Sequence, residues 1–142
     1  MKEKKYVGLI IKQIDDAIGK VVNKELKSKG ITLSQIRMLF SLKKSESGTL
    51  TLKELEKSLR IAQPTTLGIA KRLEQKGFVV GGFDSADKRI KSFKIAPKGE
   101  EICRKSQAHM DETEQKLLKG ITQGERILLY ELLSKLYKNI EI

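Results

Sequence analysis

A single cysteine, Cys103, and a single histidine, His109, are all the soft-ligand and nucleophile chemistry this 142-residue chain offers. One cysteine cannot staple a fold, so a disulfide framework is excluded and a reducing, cytoplasmic setting is expected. The two residues lie six positions apart, a spacing that does not place them face to face on a helix, and neither has an orienting partner nearby in the sequence. His109 reads as an interhelical polar contact and Cys103 as a buried, inert thiol. A structural zinc site needs about four such ligands. Asp84 and Asp87 lack the further oxygen ligands of a calcium loop, and no glycine-rich lysine loop is present to cradle a phosphate. No catalytic residue, metal or cofactor is expected, and the chain does not read as an enzyme. Long hydrophobic runs are also missing. The apolar stretch from Tyr6 to Ile11 is cut by Lys12, Asp15 and Asp16, too soon for a signal peptide or a membrane span. There is no internal repeat and no low-complexity segment, and Lys43 to Gly48 reads as a loop, so residues 1–142 are expected to form one domain with a modest core.

Acidic residues are in short supply too: 18 against 29 basic ones, for a net charge of +11. Such an excess favours a polyanionic partner, although a merely solvated basic surface would give the same count. Position separates the two readings. Residues 60–99 hold nine basic groups against Glu74, Asp84 and Asp87, so more than half of the net charge falls within 40 residues.

Helix starts are marked by three Thr-x-x-Glu/Gln capping boxes, Thr32 with Gln35, Thr51 with Glu54 and Thr122 with Glu125. Each precedes a run of helical periodicity: Ile36, Leu39, Phe40 and Leu42; then Leu52, Leu55 and Leu59; then Ile127 through Leu136. An earlier helix is expected from about Lys4 to Lys27, stopped by Gly30, and a fifth from Pro97 to near Leu118, ended by Gly120. The β signal lies between: Phe78 to Val80 before a Gly81-Gly82 break, and Ile90 to Ile95 after a charged tip, with Lys91, Phe93 and Ile95 on one face and Ile90, Ser92 and Lys94 on the other. The order is two short helices across a tight break followed by a basic hairpin, which is the layout of a winged helix-turn-helix.

On this reading the helix before the hairpin packs Thr66, Ile69, Ala70 and Leu73 inward. Pro64, Gly68, Lys71 and Gln75 then face out, flanked by Thr65, Leu67 and Arg72, with Gln63 at the start near the helix's orphan amides. Lys71 and Arg72 are expected to meet phosphates, Gln63 and Thr65 base edges or phosphate, and Leu67 a thymine methyl. At the hairpin tip Asp84 and Asp87 flank a turn made by Ser85 and Ala86, Lys88 and Lys91 add charge, and Arg89 projects from the start of the returning strand.

Three segments give the chain a resemblance to the MarR family of bacterial and archaeal transcriptional regulators: Arg72-Leu73-Glu74-Gln75-Lys76-Gly77, the pair Asp84 and Asp87 leading into Lys88-Arg89, and Lys98-Gly99 opening the next helix. It extends over nearly the whole chain, and it rests on order and spacing rather than on one motif. The resemblance implies a mainly α fold with a small β-wing: a winged helix in residues 31–97, dimerisation helices in 1–30 and 98–142, and a third short strand around Thr49 and Leu50. It further implies that Arg89 enters the minor groove while Asp87 steadies the wing, with Asp84 at the same turn. This chain departs from the family pattern in several places. Glu56 and Arg60 stand where a small Ala and a turn Gly are usual, Gly68 and Gly81 where basic residues are common, and Ala96 in place of a capping Thr. Direct base readout is therefore expected to be weaker than is usual in the family.

Apolar residues at both ends exceed what one small domain can cover: Val7, Ile10 and Ile14 in the first helix, and Ile127, Leu128, Leu132, Leu136 and Tyr137 in the last. The expectation is a homodimeric repressor of a palindromic operator in double-stranded DNA, released by a small aromatic or other effector, that last step resting on the resemblance alone. Two alternatives stay open, a sequence-tolerant architectural DNA-binding protein and a protein-interaction module that kept the fold.

Overall fold

The computed structural model describes residues 4–141. In chain order it has α1 (Val7–Ser28), α2 (Leu33–Lys44), β1 (Thr49–Thr51), α3 (Leu52–Leu59), α4 (Gln63–Gln75), β2 (Val79–Phe83), β3 (Lys91–Ile95), α5 (Pro97–Leu117) and α6 (Gln123–Ile140). The architecture is mainly helical with one small antiparallel sheet, ordered β1-β3-β2. Two compact units divide between His109 and Met110, inside α5. Among the described residues no helix is long and apolar enough to cross a membrane.

All three capping boxes form. Thr32 Oγ1 accepts from the Gln35 amide and Gln35 Oε1 accepts from the Thr32 amide, both at 3.2 Å, and the pairs at Thr51 and Thr122 repeat the arrangement. These reciprocal bonds satisfy two orphan donors at each helix start, which fixes where α2, α3 and α6 begin. α1 lacks such a device. Tyr6 precedes it in an extended conformation with no side-chain cap, and the helix starts at Val7 rather than at the expected Lys4.

In the first unit, α2, α3 and α4 close around Met38, Leu39, Leu42, Leu55, Ala70 and Leu73, all fully buried, with Phe78, Val79, Phe93 and Ile95 of the sheet side and Ile102 and Cys103 of α5 completing the core. Met38 was not among the expected core positions, yet no part of it reaches solvent. Burial pushes the Cys103 thiol up to about 11, which keeps it neutral and poorly nucleophilic. His109 Nε2 lies 3.0 Å from Glu25 Oε1, a polar contact between α5 and α1. Gly99 has a packing reason: a Cβ there would collide with the Phe78 carbonyl and come within 2.9 Å of Ile95. At Gly99, α5 thus lies against the backbone at the base of the wing.

The sheet departs from expectation in two ways. β2 does not break at Gly81-Gly82 but continues through both to Phe83, pairing Gly81 with Phe93 and Gly82 with Ser92. Ser92 is buried although the alternation put it on the face opposite Phe93 and Ile95, which are buried too. β3 is the central strand, and Ser92 sits between Thr51 on one side and Gly82 on the other. The third strand, Thr49–Thr51, is present and pairs with Ser92 through Lys94.

α6 in the second unit begins at its capping box, and the Arg126 guanidinium donates to the Ile121 and Leu118 carbonyls at 3.0 and 3.2 Å. None of its described residues is buried.

Candidate nucleic-acid interface

α4, the helix expected to read DNA, is held from both ends. At its start the buried Thr66 hydroxyl donates to the Ala62 carbonyl at 3.0 Å, joining the first turn to the preceding bend. That bend contains Arg60 in a left-handed conformation (φ 56°, ψ 42°), the only non-glycine with positive φ among the described residues, and its amide donates to Glu56 O at 2.8 Å. A residue with a Cβ pays a steric penalty there that glycine would escape. At the other end Lys76 Nζ donates to the Gly30 carbonyl at 2.8 Å and to Gln35 Oε1 at 3.0 Å. Lys98 Nζ donates to the Lys76 carbonyl at 2.8 Å and lies 4.9 Å from the centre of the Phe78 ring. Sequence reasoning assigned no role to Lys76, Lys98 or Glu74. Their partners lie 7 to 46 positions away, beyond the reach of any helical or strand periodicity.

Thr66, Ala70 and Leu73 are buried as expected, and Ile69 is half-buried. Gln63, Pro64, Thr65, Gly68, Lys71 and Arg72 are exposed, so one continuous face of α4 is available to a partner. No side chain caps its first turn, and Pro64, lacking an amide, leaves fewer orphan donors there. Leu67, expected to flank that face, is half-buried and packs against the core with part of its side chain still open. Gly68 presents only backbone, and a Cβ placed on it would meet nothing within 4 Å.

The wing tip is a longer loop than the expected Ser85-Ala86 turn. Asp84 donates its amide to Ile90 O at 2.8 Å, Ile90 donates to Asp87 O at 3.1 Å, and β3 begins only at Lys91. Arg89 accordingly lies within the loop rather than at the start of the strand. Asp84 Oδ2 accepts from the Ala86 and Asp87 amides at 3.2 and 3.3 Å. Asp87 accepts from the Arg89 amide and, as a fork, from its Nε and Nη2, all between 3.0 and 3.1 Å. Both aspartates thus organise the tip. The Arg89 bonds hold the Asp87 carboxyl below the usual carboxylate range, and that carboxylate in turn raises Arg89. Arg89 keeps 91% of its side chain exposed while its planar head is oriented, with Lys88, Lys91 and Lys94 exposed beside it. An exposed pair of this kind contributes little to folding, so its value is in aiming the guanidinium.

Helix, bend, helix and a three-stranded wing in this order match known proteins. A model of the MarR family matches residues 29–90. The operator-DNA complex of a mutant MarR from E. coli superposes with a TM-score of 0.78 at 27% identity, covering 92% of each chain. The chain resembles the MarR family. Members of the family are DNA-binding transcription regulators. The fold extends to more distant members. The MepR–DNA complex of S. aureus superposes at a TM-score of 0.85 with 21% identity, over 96% of this chain and all of that one. BpsR of Bordetella bronchiseptica, whose DNA binding is regulated by 6-hydroxynicotinic acid, superposes at 0.78 with 20% identity over 96% of both chains.

Proposed function

We propose that the protein is a homodimeric transcriptional repressor that grips a palindromic operator, with α4 in the major groove and Arg89 of the wing in the adjoining minor groove. The observation that carries this reading is that Lys71 and Arg72 of α4 and Lys88, Arg89 and Lys91 of the wing are all exposed. A narrow minor groove concentrates negative potential, which rewards a guanidinium already aimed by Asp87. The exposed apolar residues of α1 (Val7, Ile10, Ile14) and of α6 (Ile127, Leu128, Leu132, Leu136, Tyr137) support a two-fold partner of the same kind. Such a dimer would set two reading helices about 34 Å apart, one turn of DNA.

Selection from a random duplex pool tests this. The expected product is a palindrome bound at least about a thousandfold more tightly than random duplex. The log-log salt slope should have a magnitude of roughly four or more. Arg89→Ala should weaken binding by about 1–3 kcal/mol, more on A·T-rich flanks, whereas Lys88→Ala should weaken all sequences evenly. A slope near zero would leave the basic face without a function. The bare backbone at Gly68 favours a second reading, a sequence-tolerant architectural protein. Equal affinity for selected and random duplexes would establish it.

Ligand control is supported by a cleft of about 340 Å³ where α1 meets α2, lined in part by Asn23, Lys27, Gly30 and Thr32. This is roomy enough for a small molecule. Lys76, at the end of α4, donates to the carbonyl of one of its lining residues, Gly30. Titration of the protein–operator complex with 6-hydroxynicotinic acid and related aromatic acids should release DNA; no release by any of them would remove this part of the proposal.

A further inference from the structure

The wing is fastened to the reading helix at a point where strand pairing leaves a donor over. β2 is an edge strand, paired only to β3. Its ladder is bracketed by bonds from Ala96 to Phe78 O and from Asp84 to Ile90 O, so bonded pairs alternate with unbonded ones and Gly81, opposite Phe93, falls in the unbonded class. The Gly81 amide therefore points away from β3, where an edge donor is ordinarily left to water. Instead Glu74 Oε2 accepts from it at 2.9 Å.

Two further observations bear on this contact. A Cβ on Gly81 would collide with Glu74 Oε2 and lie 3.1 Å from its Cδ, so the missing side chain is what lets the carboxylate reach the backbone. Glu74 is also the only acidic residue between Arg60 and Phe83, a stretch whose other charges are all positive. For DNA binding its charge is a liability, which makes its geometric use the more informative.

We propose that Glu74 is a positioning residue: by holding the outward amide of Gly81 it fixes the wing against the end of the reading helix, so that α4 and Arg89 address one DNA site in fixed register. The inference rests on the DNA-binding reading above. A carboxylate accepting from a backbone amide is a strong, short tie, and it acts on an edge strand of the wing, which has no second strand to hold it.

The test compares wild type, Glu74→Ala and Glu74→Gln on the selected duplex and on random duplex, alongside amide hydrogen exchange at Gly81. Glu74→Ala removes both tie and charge. Its selectivity should fall by about tenfold while its affinity for random duplex stays equal or rises. Glu74→Gln removes the charge but keeps an acceptor, and should restore selectivity to within about twofold of wild type. Gly81 exchange should quicken by at least about tenfold in Glu74→Ala alone, with Val80 and Gly82, which bond into the ladder, unchanged. Unaltered selectivity in Glu74→Ala, or a glutamine variant as poor as the alanine one, would overturn the proposal. If wild type treats all duplexes alike, the operator reading fails by itself. The exchange data then decide the tie: an unprotected Gly81 amide overturns it, and one exposed only by Glu74→Ala upholds it.

Discussion

Residues 26–106 and residues 123–140 treat the same kind of side chain in opposite ways. In the first stretch Met38, Leu39, Leu42, Leu55 and Leu73 are wholly enclosed by neighbours from other elements. In α6 the apolar residues are as dense, yet Ile127, Tyr130, Tyr137 and Ile140 are each more than half exposed and none of the helix's described residues is buried. The N-terminal half of α1 behaves like α6, with Val7, Leu9 and Ile10 open to solvent. Burial of a Leu or Ile contributes about 1.5–3 kcal/mol, and α6 forgoes it several times over. The difference teaches that the winged helix closes its core with help from Leu26 of α1 and Ile102 and Cys103 of α5, while α6 and the start of α1 leave the apolar surface open that the proposed dimer would cover.

The largest expected effect breaks that comparison at α6. Leu132→Glu combined with Leu136→Glu should weaken dimerisation by about 3–6 kcal/mol, the burial contribution of two leucines, and sedimentation should show monomers where the unmodified chain gives dimers. An unmodified chain that sediments as a monomer would reduce the open apolar face to ordinary exposure. A cut in the enclosed region should act differently. Leu39→Ala should lower folding stability by about 2–5 kcal/mol in denaturant titrations, because a fully enclosed leucine leaves a cavity, and dimer affinity of the folded protein should be kept. A loss below about 1 kcal/mol would mean that this core is looser than its burial indicates.

Smaller effects sharpen the picture at the edges of the enclosed region. Arg60→Gly should raise stability by about 0.5–1 kcal/mol, since glycine occupies the left-handed conformation without steric cost but gives back part of the gain in unfolded-state entropy. A thermal melt checks the sign. Smallest is the wing tip. The folded Asp87 carboxyl is depressed by Arg89, so the ordering it provides is present above the usual aspartate value near 4 and is lost as pH falls through the lower folded value. A carbon-detected NMR titration should place its midpoint below that of a free aspartate, and Arg89→Ala should move it back up. An ordinary midpoint in the unmodified protein would mean that the fork does not form in solution.

What could be read from sequence divides along the same line. The capping boxes, the inward face at Thr66, Ala70 and Leu73 and the stop at Gly30 were legible because each is a local pattern, spanning a turn or two of helix. Strand limits were not. Gly81-Gly82 looks like a break when only local propensity is consulted, yet the pairing with Phe93 and Ser92 carries the strand through it. Alternation set Ser92 on the face opposite Phe93 and Ile95, yet all three are buried, and Ser92 has strand neighbours on both sides in the sheet. At the interface, the cationic residues could be listed from sequence because charge on an outward face needs no partner to be recognised. How far Leu67 sinks toward the core was not legible, because the width of the apolar stripe depends on what packs beside it.

The sequence by itself determined the helix starts, the basic stripe and the order of elements, since capping, charge and periodicity are properties of residues a few positions apart. Only the tertiary structure decided that Lys76 and Lys98 secure the end of the reading helix, that Glu74 takes the spare amide of Gly81, and that Gly99 lets α5 meet the base of the wing. Those contacts join segments that approach only after the core has closed. A hydrogen bond between residues 46 positions apart leaves no trace in either segment alone, because the geometry that makes it favourable is created by the packing of everything between them.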